Sequence, residues 1–203
     1  MSVIGQFRVL DDPDQFFWLR GFTDMRARAD GLNAFYGGSI WKAHRDAANA
    51  TMVDSDNVLL LRPARPLSGF ALSGSDRASI GSKEPSDKLY VANICYTRDP
   101  AQDEIVSYFE HAIMPLIARA GVSVSAHFVT EQSPNNYPSL PVREGENAFV
   151  WFTAFSGVAT YSRYIDALSH SLQWQSVYNE FASRLCAPVE IKKLAPSARS
   201  LLR

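Results

Sequence analysis

Arg20 stands between two large aromatic residues on what strand alternation makes a single face. Trp18, Arg20 and Phe22 project together, and Phe17, Leu19 and Gly21 project to the other side. A guanidinium in that setting can hold a carboxylate or a phenolate through two parallel hydrogen bonds while the rings flank the ligand. The competing role is a structural arginine, paired with an internal aspartate or stacked on Trp18. Trp41 and His44 are three residues apart, which on a helix puts them on one side. His44 and His127 are the candidate general bases, because an imidazole titrates near neutrality. Against this stand an ordinary packed helix for Trp41 and His44, and a satisfied core or interface histidine for His127. Tyr90, Phe128 and Trp151 add aromatic surface on other strands. With Trp18, Arg20 and Trp41 they form the candidate ligand-binding set, suited to an apolar or aromatic molecule. The alternative is that these rings fill a sheet–sheet core.

Other chemistries lack their signatures. The chain has no GxGxxG, GxxxxGK[ST], GxSxG, HExxH or CxxC pattern. Its histidines at 44, 111, 127 and 170 are scattered, so neither a metal nor a cofactor is expected. Twenty Lys and Arg against 21 Asp and Glu leave a formal charge of -1, which excludes the basic footprint of a nucleic-acid binder. An apolar content of 46% over 203 residues supports a real core, yet no run approaches the roughly 18 residues of a membrane span. The N-terminus has no basic n-region and no apolar h-region, and Cys95 and Cys186 both sit in apolar contexts. These features read as a cytoplasmic protein with structural thiols.

The tryptophans expose a repeat. Trp18 and Trp41 are 23 residues apart, as are Trp151 and Trp174, and an offset of 133 relates the pairs. The same offset carries Phe16 onto Phe149, Phe22 onto Phe155 and Ala34 onto Ala167. An offset of 121 lays residues 3–10 on 124–131, matching Val3 with Val124 and Phe7 with Phe128. Each aromatic strand (15–22 and 148–155) should precede two helices and a closing strand (57–62 and 189–194). In the first copy Asp24 reads as an N-cap, Gly37-Gly38 as a break and Ser39 as a second cap. Asp24, Arg26, Arg28 and Asp30 read as a solvated helix face. The second copy has a further strand at 88–97 and a helix over 101–120 that Pro115 should kink. It is thus strand–helix–strand–strand–helix–strand, the ferredoxin-like order. The expected organisation is a partial ferredoxin-like repeat over 1–63, a Ser/Gly/Pro-rich linker over 64–87, and a complete repeat over 88–203.

Residues 16–62, FFWLRGFTDMRARADGLNAFYGGSIWKAHRDAANATMVDSDNVLLLR, resemble the NIPSNAP family, and within it tandem two-domain bacterial members. The resemblance implies a dimeric α+β barrel: two ferredoxin-like units with their sheets together and helices outside. It implies no reaction. Members normally open with a strand and a helix, which the first repeat here lacks, so an unpaired sheet edge and an uncovered apolar face are expected. A homo-oligomer covering that gap follows as an expectation. Two functions compete: a module that binds a small apolar or aromatic ligand or serves in assembly, and a cofactor-independent oxygenase or isomerase acting on an aromatic substrate in the barrel, with His44 or His127 as base. Haem binding through one histidine is a weaker third.

Overall fold

Residues 1–72, 76–100 and 102–203 are described by the computed structural model. Seven strands form one antiparallel sheet: β1 (Ser2–Val9), β2 (Phe16–Gly21), β3 (Leu61–Pro63), β4 (Leu89–Tyr96), β5 (Val124–Thr130), β6 (Ala148–Phe155) and β7 (Glu190–Pro196). Their order is β2-β1-β7-β4-β6-β5-β3. Helices α1 (Met25–Gly37) and α2 (Ser39–Asn49) follow β2; α5 (Val158–Ser169) and α6 (Leu172–Ala182) follow β6. Between β4 and β5 run α3 (Gln102–Tyr108), a π-helical turn (Phe109–Ile113) and α4 (Met114–Arg119).

The sheet curls. Phe17 on β2 and Phe152 on β6 are four strands apart, about 19 Å on a flat sheet, yet their rings lie 6.4 Å apart. The two faces consequently have different cores. On the concave face Phe7, Tyr90, Ile94, Val150, Phe152 and Leu194 pack together, with Phe17, Leu19 and Phe128 against them. On the convex face Val91, Cys95, Phe149, Trp151 and Phe155 pack against Phe109, Ile113 and Ile117 and against Leu168 and Phe181. The fold is α+β, a curled antiparallel sheet with its helices outside, and among the described residues it has seven strands rather than the eight of two complete ferredoxin-like units.

Within it, β7-β4-β6-β5 is the ferredoxin-like strand order, and β1-β2-α1-α2-β3 repeats the element order of β5-β6-α5-α6-β7. The ladders agree residue by residue. Val3 pairs with Arg20, the register shifts, and Gly5 pairs with Leu19. Val124 pairs with Thr153, the register shifts at the same place, and Ala126 pairs with Phe152. The sequence offsets of 121 and 133 convert five of the six pairings of the first hairpin into the five of the second.

Local signals acted largely as expected. Asp24 caps α1, its carboxylate accepting from the Ala27 amide at 2.7 Å. Ser39 is not the second cap: it is the first residue of α2, and Gly38 is the N-cap without a side-chain bond. The helix expected over 101–120 is three pieces from Gln102 onward, Ala101 lying outside the described residues. Pro115 has no amide hydrogen to bond the carbonyl one turn back, and the ladder slips just before it, Met114 bonding Phe109 in the π turn. The strand expected over 57–62 is short, because the carbonyls of Val58 and Leu60 accept instead from the amides of Arg143 and Glu131 in the β5–β6 loop and its approach.

The segment expected to be a linker packs inward. Phe70 lies 5.5 Å from Phe128 and 5.0 Å from Phe152, ring to ring, and Leu72 joins the same concave core. Arg77 bonds the carbonyl of Arg199 at 3.0 Å and contacts the carbonyl of Val3.

Candidate functional site

The face of β2 that carries Trp18 and Arg20 is the convex one, since Phe17 and Leu19 take the concave side. The Arg20 guanidinium lies over the Trp18 ring, 4.6 Å from its centroid, and donates to the Tyr36 hydroxyl at 3.2 Å. Tyr36, at the end of α1, meets Trp41 edge-on at 5.0 Å and stacks on Tyr137 of the β5–β6 loop at 6.0 Å. Trp18, Arg20, Tyr36 and Trp41 thus form a chain of contacts, although spacing groups Trp18 and Arg20 with Phe22, and Trp41 with His44. Tyr137 joins them, and sequence reasoning passed over both tyrosines. Tyr36 sits in the run Phe35-Tyr36-Gly37-Gly38, just off the apolar stripe of Met25, Ala29, Leu32 and Phe35.

Arg28 corrects the reading of its helix face as solvated. It is 3% exposed. Its Nη1 donates to the side-chain carbonyls of Asn135 and Asn136 at 3.0 and 2.9 Å, and Asn136 returns a bond to the Met25 carbonyl. Burial, reinforced by the nearby charge of Arg20, holds its pKa below the ordinary guanidinium value. The cover is the loop over 132–147, more than 100 residues away in sequence, so periodicity within the helix could not reveal it. Among the described residues, no carboxylate lies within 4.0 Å of Arg20 or Arg28.

The histidines do not join this group. His127 is 7% exposed on the convex side of β5, beneath the π turn, with its ring 5.7 Å from Phe109. Its Nε2 meets Glu110 at 3.1 Å, and Glu110 also pairs with Arg65 at 3.3 Å. The slip that creates the π turn sets Phe109 and Glu110 over His127. His44 is exposed on α2. The two candidate bases therefore occupy separate environments.

The expected aromatic wall divides. Tyr90 and Phe128 face the concave interior, where Phe7, Phe70 and Phe152 surround them. Trp151 faces the helices, 5.0 Å from Phe109 and 5.8 Å from Phe181. Alternation explains the division: from Trp151 to Phe152 the side chain changes face. A cleft of about 300 Å³ lies elsewhere, lined by Thr97, Arg98, Asp99, Glu104, Ile105 and Ser183 to Leu185. It contains none of the residues nominated from the sequence. Among the described residues, no cluster of three His, Cys, Asp or Glu side chains could hold a metal, and no helix is long and apolar enough to cross a membrane.

Fold and site together define a curled α+β sheet protein with an arginine–aromatic shelf outside a filled interior. Among solved structures the chain is similar to a NIPSNAP family protein from Agrobacterium tumefaciens str. C58, at 15% identity and a TM-score of 0.47, over 64% of this chain and 100% of that one. A NIPSNAP-like domain protein from Burkholderia xenovorans is similar at 16% identity and a TM-score of 0.41, over 53% and 84%. SnoaB, a cofactor-independent oxygenase from Streptomyces nogalater, is similar at 15% identity and a TM-score of 0.34, over 53% and 91%. Two of these three belong to the family that residues 16–62 resemble. No family model matches the chain, and no curated protein matches it.

Proposed function

We propose that this protein is a binding module for a small aromatic ligand, which lies against Trp18 on the convex face of β2. The observation that carries this is a chain of contacts running from Trp18, 40% exposed, through Arg20 to Tyr36, which in turn packs on Trp41 and Tyr137. The concave interior, the other place for such a ligand, is occupied by Phe70. Catalysis in the barrel would need a base facing inward, and His127 faces the helix layer. Saturation-transfer NMR with a panel of mono- and bicyclic aromatics tests the reading. Transfer at millimolar ligand that Trp18→Ala weakens about fivefold, a stacking contact of about 1 kcal/mol, is the expected result. An unchanged response in Trp18→Ala, or no response to any compound, refutes it.

Two further parts belong to the same reading. The chain divides into a partial repeat over 1–63 and a complete one over 88–203, descended from one copied unit; the matched register shifts support this. A second copy pairs through the edge of β2, which among the described residues is bonded on one side only. Such pairing lies in the plane of the sheet and leaves Trp18 and Arg20 open. A monodisperse monomer by light scattering at micromolar concentration ends the oligomer.

A further inference from the structure

The buried guanidinium of Arg28 presents an electrostatic problem that the described residues leave unsolved. An arginine cannot shed its charge in a protein. A cation taken out of water is expensive unless an opposite charge compensates it. Arg28 has only two neutral amide carbonyls, both on Nη1, and a second guanidinium beside it. Its Nε and Nη2 have no hydrogen-bond partner among the described residues, and neither is sealed from solvent, so both are within reach of a ligand. Of the other partly buried arginines, Arg65, Arg143, Arg184 and Arg203 each have a carboxylate, whereas Arg77 and Arg199 bond carbonyl oxygens, Arg77 three of them. Two cations without an anion, one buried, describe a site whose counter-charge arrives from outside.

We infer that the ligand is an aromatic acid: its carboxylate bridges Arg20 and Arg28 while its ring lies against Trp18. This rests on the aromatic-binding reading above and specifies the ligand's charge. The acid group suits the planar fork of each guanidinium, which donates two parallel bonds to a carboxylate. The β5–β6 loop is part of the site, because Asn135 and Asn136 hold Arg28 in place and Tyr137 stacks on Tyr36. Binding of the acid should therefore order this loop and raise the thermal midpoint.

The test is isothermal titration of the full chain with benzoate, benzamide and inorganic phosphate, repeated on Arg28→Met and Arg20→Gln. Benzoate binding the wild type at least tenfold more tightly than benzamide, and about 10- to 100-fold more weakly to either variant, is the expected result. Arg20 is only partly buried, so Arg20→Gln decides the matter should Arg28→Met not fold. Equal binding of benzoate and benzamide overturns the charge assignment and leaves the aromatic reading standing. Phosphate binding without benzoate binding overturns both the aromatic acid and the aromatic reading, as does a lack of response to all three. Unchanged benzoate affinity in both variants places the acid elsewhere and overturns the proposal.

Discussion

Phe109 covers Trp151 at a ring separation of 5.0 Å, and it does so from the π turn between α3 and α4. Trp18 holds the register position in the first hairpin that Trp151 holds in the second: Gln6 faces Trp18 as His127 faces Trp151. Among the described residues, no helix lies over Trp18 as this one lies over Trp151. The consequence is a difference in exposure, 40% for Trp18 against 3% for Trp151. The same sheet face is core in one half and accessible shelf in the other.

That contrast can be read by acrylamide quenching. Trp18 should account for much of the quenchable emission and Trp151 for almost none. Trp18→Phe should lower the fraction of fluorescence accessible to acrylamide, whereas Trp151→Phe should raise it by removing a protected emitter. Equal changes in the two variants would mean that both faces are covered alike.

Phe70 closes the concave interior from a segment with no regular structure. Phe70→Ala removes a half-buried ring that touches Phe128 and Phe152. A loss of about 2–3 kcal/mol is expected, below the 3–5 kcal/mol of a fully buried phenylalanine. Urea denaturation measures it. A loss under about 0.5 kcal/mol would show that Phe70 spends its time outside the barrel.

Glu110 joins His127 to Arg65. Glu110→Ala leaves the buried imidazole without its hydrogen-bond partner, which costs about 1–3 kcal/mol. In the double variant with His127→Phe, the unsatisfied group is gone and part of that loss should return. Additive losses in a urea-denaturation cycle would dissociate the two residues.

The strands were legible because they rest on local alternation. The register shift between Val3 and Gly5 recurs between Val124 and Ala126, so both halves keep the same faces together. What alternation cannot supply is which face is concave. Trp18 and Arg20 could be grouped from sequence but not assigned a side, and Trp151 was grouped with Tyr90 and Phe128 although it faces the other way. Arg28 and Phe70 were illegible for a further reason. Each is buried by a partner more than 50 residues distant, and neither belongs to a periodic pattern. Pro115 announced a disturbed helix, but not that the disturbance would set Glu110 on His127.

The two cysteines should differ sharply toward a thiol reagent. Cys95 is fully buried on the convex face of β4 and Cys186 is exposed. An aromatic disulfide reagent should titrate one thiol in the native protein and two in denaturant. Cys186→Ser should abolish the native reaction. Rapid labelling of both thiols without denaturant would require β4 to open.

Burial also pushes the Cys95 thiol and the Tyr164 hydroxyl well above their ordinary values, and those of Tyr90 and Tyr178 upward. The folded chain therefore keeps protons that the unfolded chain gives up. Below the unfolded values, about 8.5 for a thiol and about 10 for a phenol, both states are protonated and these groups add no pH dependence. Above them the unfolded state binds fewer protons, so stability falls as pH rises. Between pH 8.5 and 10 the thiol acts nearly alone, with a limiting slope of about 1.4 kcal/mol per pH unit. Urea midpoints of wild type and Cys95→Ala at pH 7.5, 9 and 10 isolate that contribution. The wild type should lose stability over this range and the variant should lose much less. Parallel profiles would mean that Cys95 ionises as readily in the folded sheet as in the open chain.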